Sequence, residues 1–188
     1  MDPGPSSATP GHPAVELWLV RHGRTAWSDE GRYAGWTDLA LTAEGEAQAR
    51  DLARLLPAGP DVSAWSSDLL RCTATARLAG LEPVTDPRLR ELSFGALEGA
   101  TWDELTPQQQ ADVVAFDPFV APGGESVAEL RTRVRQFLDE LAPGRHIVFT
   151  HGGVVRMLLR DTGADRWVSP AQVEHMAWPA EPPVPPGR

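Results

Sequence analysis

The sequence contains no lysine and only one cysteine and one tyrosine among its 188 residues. All 17 basic residues are therefore arginines, and 26 acidic residues outnumber them, which gives a formal net charge of −9. General binding to nucleic acids or to anionic membranes needs a basic surface, so this charge balance argues against both. A local cluster of arginines would still suit a small phosphate ester. The lone Cys72 excludes an internal disulfide and a zinc site built from cysteines.

Long apolar runs are also missing, since no stretch approaches the 18 or more apolar residues that span a bilayer. Residues 1–13 lack the basic and apolar regions of a secretory signal, and we expect a cytoplasmic protein. Residues 179–188 include five prolines. We expect residues 1–13 and 179–188 to be disordered tails on either side of one domain over 14–178.

Segments with the patterns of strands and helices alternate along this domain. Short apolar runs at 15–20, 62–65 and 147–149 are typical of buried strands, and a weak strand is predicted around 82–84. Helices are predicted over 42–56 with Thr42 as N-cap, from Ser66 and Ser67 through 79, over 126–141 from a capping box of Ser126 and Glu129, and from 152 through 159. The alternation predicts an α/β fold, a three-layer α/β/α sandwich with a mostly parallel central sheet.

Two histidine motifs follow predicted strands directly: Arg21-His22-Gly23 after the first, and His151-Gly152-Gly153 after the last. Ligands bind beyond the carboxyl ends of parallel strands, so both histidines should lie on one rim of the sheet. A histidine there can act as base, nucleophile or metal ligand, and Arg21 carries a planar charge that suits phosphate oxygens. Each motif alone also fits a structural role, as a loop histidine beside a surface arginine or as a capping histidine before a tight turn.

Three more side chains are candidates for the same chemistry. Arg71 falls in the first turn of a predicted helix, where the helix dipole disfavours a cation, and this suggests an anion nearby; an ordinary ion pair with Asp68 is the alternative. Glu91 lies among apolar neighbours, which would raise its pKa and suit a proton donor, and Glu98 is its rival. A structural salt bridge would explain either carboxylate. Cys72 is interpreted as a small buried residue.

In combination these pieces resemble the histidine phosphatase superfamily, also called the phosphoglycerate mutase-like family. The resemblance covers about 15–178 and is closest to its small bacterial branch of phosphoglycerate mutase-like proteins and α-ribazole-5′-phosphate phosphatases. It depends on seven motifs in order: Leu19-Val20-Arg21-His22-Gly23-x-Thr25, Gly31-Arg32 with Gly35-Trp36-Thr37-Asp38, Leu41-Thr42-x-x-Gly45, Ser66-Ser67-x-x-x-Arg71, Leu89-Arg90-Glu91 with Gly95 and Glu98-Gly99, Gly123-Gly124-Glu125-Ser126, and Thr150-His151-Gly152-Gly153.

The resemblance implies a role for each matching residue. His22 corresponds to the nucleophile that becomes phosphohistidine, and Glu91, not Glu98, to the proton donor. Arg21, Arg71 and His151 correspond to the groups that hold the phosphoryl oxygens, and a cationic His151 would help to offset their charge. Relatives of this kind need no metal or other cofactor, so the expected partner is a small phosphate-ester substrate, with no nucleic acid and no membrane.

The sequence departs from the family pattern beside the site. Arg24 stands where Glu or Gln is usual and would add positive charge, whereas Ser28 stands where Asn is frequent and still offers a hydroxyl to a phosphate. Ala34 replaces a frequent amide, and Gly152 stands where some phosphatases have Gln or Ala. We predict that Arg21, Arg24, Ser28, Arg71, His151 and Gly152 contact the substrate, and the departures bear on substrate preference and not on the chemistry.

The first functional hypothesis is a metal-independent phosphomonoesterase that acts on a small phosphorylated metabolite. A phosphoglycerate mutase with the same chemistry is the alternative, but mutases of the family have longer insertions between the acid and the second histidine, and only 60 positions separate Glu91 from His151 here. A non-catalytic phosphate-binding module is a third hypothesis, disfavoured because the expected catalytic residues are all present. A metallohydrolase is a fourth, disfavoured because paired metal-ligand spacings are missing.

Overall fold

The computed structural model describes residues 15–179, so the predicted tail 1–13 and all but the first residue of the predicted tail 179–188 lie outside the described residues. Five strands form one sheet in the order β3-β2-β4-β1-β5. Their bounds are β1 Val15–Arg21, β2 Val62–Ser66, β3 Val84–Thr85, β4 Gly144–Thr150 and β5 Val173–Trp178. The pairs β1–β4, β2–β4 and β2–β3 are parallel, and only β5 runs antiparallel, along β1. The predicted mostly parallel sheet is confirmed.

Helices connect these strands and cover both faces of the sheet. Within the described residues they are α1 Ala26–Asp29, α2 Ala43–Asp51, α3 Leu70–Leu78, α4 Pro107–Ala115, α5 Val127–Asp139 and α6 Gly152–Asp161. The Thr42 side chain caps α2, and Ser126 with Glu129 forms the predicted capping box of α5. The end of α2 differs from the prediction, because the chain tightens into a 3-10 turn over Leu52–Arg54. None of the helices among residues 15–179 is long and apolar enough to cross a membrane.

Two apolar clusters show how the layers are divided. Along β4, Val148 faces one cluster while Ile147 and Phe149 face the other, because successive side chains of a strand point to opposite faces. The larger cluster includes the buried faces of α5 and α6, and the smaller includes residues of α3 and of the turn after α2. The sheet is therefore packed between two helical layers, which confirms the α/β/α sandwich.

Besides the short helix α1, two elements, α4 and β5, were not expected from the sequence. Helix α4 has no buried residue, and its start is defined by a capping box in which Thr106 and Gln109 exchange hydrogen bonds. Strand β5 carries a buried Glu174, which forms an ion pair with Arg166. Neither segment has the apolar periodicity that identifies a helix or a strand.

Candidate active site

The carboxyl ends of β1 and β4 bring the two histidine motifs together. The parallel register pairs Arg21 with Thr150, so the next residues, His22 and His151, leave the sheet side by side. The backbone N–H of His22 donates to the carbonyl of Thr150 at 3.0 Å. The two imidazole centroids are 5.2 Å apart. Both histidines thus lie on one rim of the sheet, as the predicted topology requires.

His22 is held with one ring nitrogen available for chemistry. Its Nδ1 lies 2.8 Å from the carbonyl oxygen of Gly23, which can only accept, so Nδ1 carries the proton and Nε2 has an unprotonated lone pair, which faces Arg71. Burial, followed by the charges of Arg71 and Arg21, lowers the pKa of His22 well below its usual value. A side chain on Gly23 would meet the carbonyl of Gly45 at 2.5 Å, so this turn requires glycine. His22 is therefore a neutral, oriented nucleophile.

Arg71 stands between the two imidazoles at the start of α3. It is fully buried, and its Nε lies 3.2 Å from His22 Nε2 and 3.3 Å from His151 Nδ1. Its terminal nitrogens donate to the carbonyls of Thr37 and Gly35 at 2.9 and 2.7 Å. No carboxylate within the described residues pairs with it. A buried cation costs free energy unless an anion compensates it, so this position is suited to a bound phosphate.

His151 is fully buried and has a partner that the motifs did not reveal. Its Nε2 lies 3.0 Å from the hydroxyl of Ser67, and Cys72 Sγ lies 3.4 Å from the same nitrogen. Burial, then the charge of Arg71, lowers the pKa of His151 well below its usual value. The ring is therefore neutral in this environment, and the cationic form was expected only beside the phosphoryl oxygens. The sequence suggested Ser67 as a helix cap and as part of a family motif but gave it no role toward His151, and Leu69 is the N-cap of α3.

Glu91 is the carboxylate that the fold buries at this rim. Its two oxygens accept the backbone N–H groups of Leu92 and Gly153, each at 2.9 Å. Burial raises the pKa of Glu91, although those N–H groups and the nearby arginines oppose the shift. Glu98 instead accepts the backbone N–H groups of Trp36 and Thr37 at 2.8 and 2.9 Å. Of the two rivals, only Glu91 lines the cavity.

A cavity of about 130 Å³ opens beside these groups. Arg21, Ser28 and Gly152 line it, together with His22 and Glu91. The Nη1 of Arg21 donates to the carbonyl of Val168 at 2.5 Å, while its Nε is buried and has no hydrogen-bond partner within the described chain. An unpaired buried donor of this kind is a further place for a phosphoryl oxygen.

Some sequence expectations for the cavity are not met. Arg24 does not line it, because its guanidinium is half-exposed and pairs with Asp29 at 2.7 Å and Glu44 at 3.2 Å. The ring N–H of Trp36 donates outside the cavity, to the backbone carbonyl of Glu91 at 2.9 Å. The tryptophan at the cavity is Trp167, whose ring lies 5.1 Å from the Arg21 guanidinium.

Beside Thr25, Arg32 and Arg156, the cavity has an apolar surface. We call it the apolar wall, and its members are Tyr33, Leu92, Phe94, Val113, Phe116 and Phe119. Three of them come from α4 and the loop after it. Within residues 15–179, no group of three or more histidine, cysteine, aspartate or glutamate side chains is arranged to hold a metal ion.

Comparisons with known proteins agree with this geometry. The family model of the histidine phosphatase superfamily (branch 1) matches residues 17–173. A curated relative from Yersinia enterocolitica, named "Probable phosphoglycerate mutase GpmB", is 37% identical over 157 residues, which cover 77% of this chain and 73% of the relative.

Two solved structures extend the comparison. A phosphoglycerate mutase from Thermus thermophilus has a TM-score of 0.83 and 51% identity, over 90% of this chain and 96% of its own. A "putative alpha-ribazole-5'-P phosphatase" from Escherichia coli has a TM-score of 0.72 and 29% identity, over 87% of this chain and 90% of its own. The names of these similar proteins divide between mutase and phosphatase.

Proposed function

The chain belongs to the histidine phosphatase superfamily (branch 1), and we propose that it is a phosphomonoesterase that hydrolyses a small phosphorylated metabolite through a phosphohistidine on His22. One observation carries the proposal: the unprotonated Nε2 of His22 lies 3.2 Å from the Nε of Arg71, a buried arginine that also contacts His151. A nucleophile is thus adjacent to a buried charge that matches the charge of a phosphoryl group. Phosphoryl transfer depends mainly on such positioning and charge stabilisation.

In the first step, the lone pair of His22 Nε2 forms a bond to phosphorus as the ester P–O bond breaks. The leaving oxygen takes a proton from the Glu91 carboxyl group, whose raised pKa favours the protonated form. Arg21 and Arg71 stabilise the negative charge on the transferred oxygens. His151 joins them when the arriving phosphate, as an anion, favours its protonated form.

In the second step, water attacks phosphorus and the N–P bond breaks, which releases inorganic phosphate and restores neutral His22. The Glu91 carboxylate, now unprotonated, takes the proton of the attacking water and returns to its starting form. Each proton that Glu91 donates is thus recovered within one turnover. Proton transfer of this kind accelerates reactions by roughly 10²–10⁴-fold.

A phosphoglycerate mutase is the second candidate, because two of the similar proteins bear that name. A mutase returns the phosphoryl group of His22 to a second hydroxyl of the substrate instead of to water. It must therefore protect the phosphoenzyme from hydrolysis. The short interval of 60 positions between Glu91 and His151 leaves little chain for such protection and favours the phosphatase.

The test follows phosphate from an ester labelled with ³²P. We expect an acid-labile, base-stable label on His22 in rapidly quenched reactions, release of inorganic phosphate, and no loss of turnover with a chelator. His22→Asn should abolish the label. Isomerisation of 3-phosphoglycerate that outpaces phosphate release, with or without bisphosphoglycerate, would identify a mutase instead. Absence of any label together with inhibition by the chelator would contradict both candidates.

A further inference from the structure

The cavity beside His22 has an unusual balance of apolar and charged groups. We propose that its apolar wall binds the alcohol part of the substrate, so that the enzyme selects phosphate monoesters of aromatic or bulky apolar alcohols over those of small polar ones. This inference rests on the proposed phosphatase function and specifies its substrate class. The phosphoryl group would lie among the charged residues, and the rest of the ester would extend along the wall.

The composition of the wall is the first support. Its members Tyr33, Phe94, Phe116 and Phe119 are aromatic, and Val113 and Leu92 complete it. Tyr33 and Phe94 pack against each other, with ring centroids 5.1 Å apart. Rings packed in this way form a preformed surface. An apolar ligand can therefore displace water there without the conformational-entropy cost of ordering the protein.

The second support is that the cationic groups of the cavity other than Arg21 already have carboxylate partners. Arg32 donates to Glu30 at 2.6 Å and to the carbonyl of Gly99 at 2.6 Å, and Arg156 donates to Asp165 at 2.9 Å. A carboxylate on the alcohol part, as in a phosphoglycerate, would have to compete with these acids. The cavity is better suited to an uncharged, apolar group.

The third support is the conformation of Phe116, which ends α4. It is a non-glycine residue at φ 65°, a backbone conformation that costs free energy and is concentrated at functional sites. The guanidinium groups of Arg156 and Arg160 lie 4.9 and 5.5 Å from its ring centre. Both arginines belong to α6, the helix that begins directly after His151. Phe116 is therefore fixed to the helix that carries the catalytic rim.

The experiment compares two esters with equally poor leaving groups, 2-phenylethyl phosphate and ethyl phosphate, with the wild-type enzyme. Burial of the phenyl group should raise kcat/KM by about 10- to 100-fold for the larger ester. Glycerol 3-phosphate and 3-phosphoglycerate should react no faster than ethyl phosphate. A ratio near 1 with efficient release from all four esters would overturn the inference and leave the phosphatase intact. Absence of phosphate release and of a His22 label with every ester would instead contradict the phosphatase itself.

Two adjacent residues of α4 provide a matched pair of variants. Val113 lines the cavity, whereas Val114 is 62% exposed and lies outside it. Val113→Thr keeps the shape of the side chain but replaces one methyl group with a hydroxyl, and it should lower the ratio of the two kcat/KM values about three- to tenfold. Val114→Thr should leave the ratio within twofold. Both esters are measured on one enzyme sample, so loss of folded protein cancels in the ratio.

A third variant tests the strained aromatic. Phe116→Gly removes the ring but is compatible with the positive φ, so the backbone is relieved and not disturbed. The ratio should fall by about tenfold, as expected when a large part of the apolar contact is lost. Equal ratios for the wild type, Val113→Thr and Phe116→Gly would show that the wall does not contact the substrate and would refute the proposal.

Discussion

The substitution Gly153→Ala should displace the carboxyl group of the general acid Glu91 and leave the other catalytic residues in place. Gly153 is the second residue of α6, and its N–H donates to Glu91 Oε2 at 2.9 Å. A Cβ at this position would overlap Glu91 Oε1 and would lie 3.1 Å from the carboxyl carbon. Gly153→Ala therefore forces the carboxyl group to move, while Glu91 keeps this functional group and its side-chain length.

The magnitude follows from two opposing terms. Alanine is favoured over glycine within a helix by up to about 1 kcal/mol. Loss of the hydrogen bond between Gly153 and the neutral carboxyl group of Glu91 costs about 0.5–1.5 kcal/mol. The net effect of Gly153→Ala on the free energy of unfolding therefore lies between a gain of about 0.5 kcal/mol and a loss of about 1.5 kcal/mol. In a Glu91→Ala background only the helix preference for alanine over glycine remains, so Gly153→Ala should stabilise the protein.

The assay is a double-mutant cycle of Gly153→Ala and Glu91→Ala, followed by urea unfolding and by kinetics. The two changes should couple by about 0.5–1.5 kcal/mol, because the added methyl group clashes only with the Glu91 side chain. Gly153→Ala should also lower turnover by roughly 10²–10⁴-fold for alkyl esters and much less for p-nitrophenyl phosphate, whose leaving group needs no acid. Equal destabilisation in both backgrounds, or equal slowing of both esters, would refute the assignment of Glu91 as the acid.

Further predictions concern the two histidines and their surroundings. Ser67→Ala should lower kcat/KM about tenfold and shift its acid limb, because the hydroxyl contacts His151 Nε2, and Ser67→Thr should restore both if the hydroxyl is what matters. Burial lowers the pKa of both His22 and His151, so their contribution to stability is present above about pH 6.5 and is lost as the pH falls. Each histidine should lower the free energy of unfolding by up to about 1.4 kcal/mol per pH unit. In urea unfolding, His22→Asn should remove the contribution of His22 to this pH dependence, and an unchanged dependence would contradict the burial argument. Burial raises the pKa of Cys72 to about 12, so a thiol reagent at about pH 8 should modify it only after unfolding, and rapid modification of the native enzyme would show that the thiol is accessible.

Much of the fold could be predicted because its signals are local. Thr42 and Ser126 identify helix starts since each side chain bonds to its own first turn. The parallel strands appear as short apolar runs because both of their faces are buried. Strand β5 has no such signal, since Glu174 in its interior is neutralised by Arg166, a contact that the strand itself does not encode. The family resemblance drawn from the motifs is confirmed by the match over 17–173.

The residue types that form the site could also be predicted from the sequence, but the directions in which their side chains point could not. Arg24 follows the histidine motif directly, yet Asp29 and Glu44 draw its guanidinium to the surface. Trp167 reaches the cavity from a loop 16 residues after His151, where an exposed tryptophan carries no distinguishing pattern. Each polar side chain points towards the hydrogen-bond or ion-pair partner that it contacts, and those partners come from elsewhere in the fold.

Glu91 is the strongest case, because its position depends on donors from three distant parts of the chain. Its carbonyl accepts the ring N–H of Trp36 and the Nη2 of Arg133 at 2.9 and 2.8 Å, and Gly153 holds the carboxyl group itself. Arg133 also bonds the carbonyl of the preceding residue at 2.7 Å and pairs with Glu125, so α5 fixes the whole approach to the acid. Glu98 is seven positions away and carries the same functional group, but its oxygens meet only backbone N–H groups and a hydroxyl of the loop over 36–37. What separates an acid catalyst from a structural carboxylate is therefore the set of donors that the fold supplies, and the local sequence around either glutamate contains none of them except the N–H of Leu92.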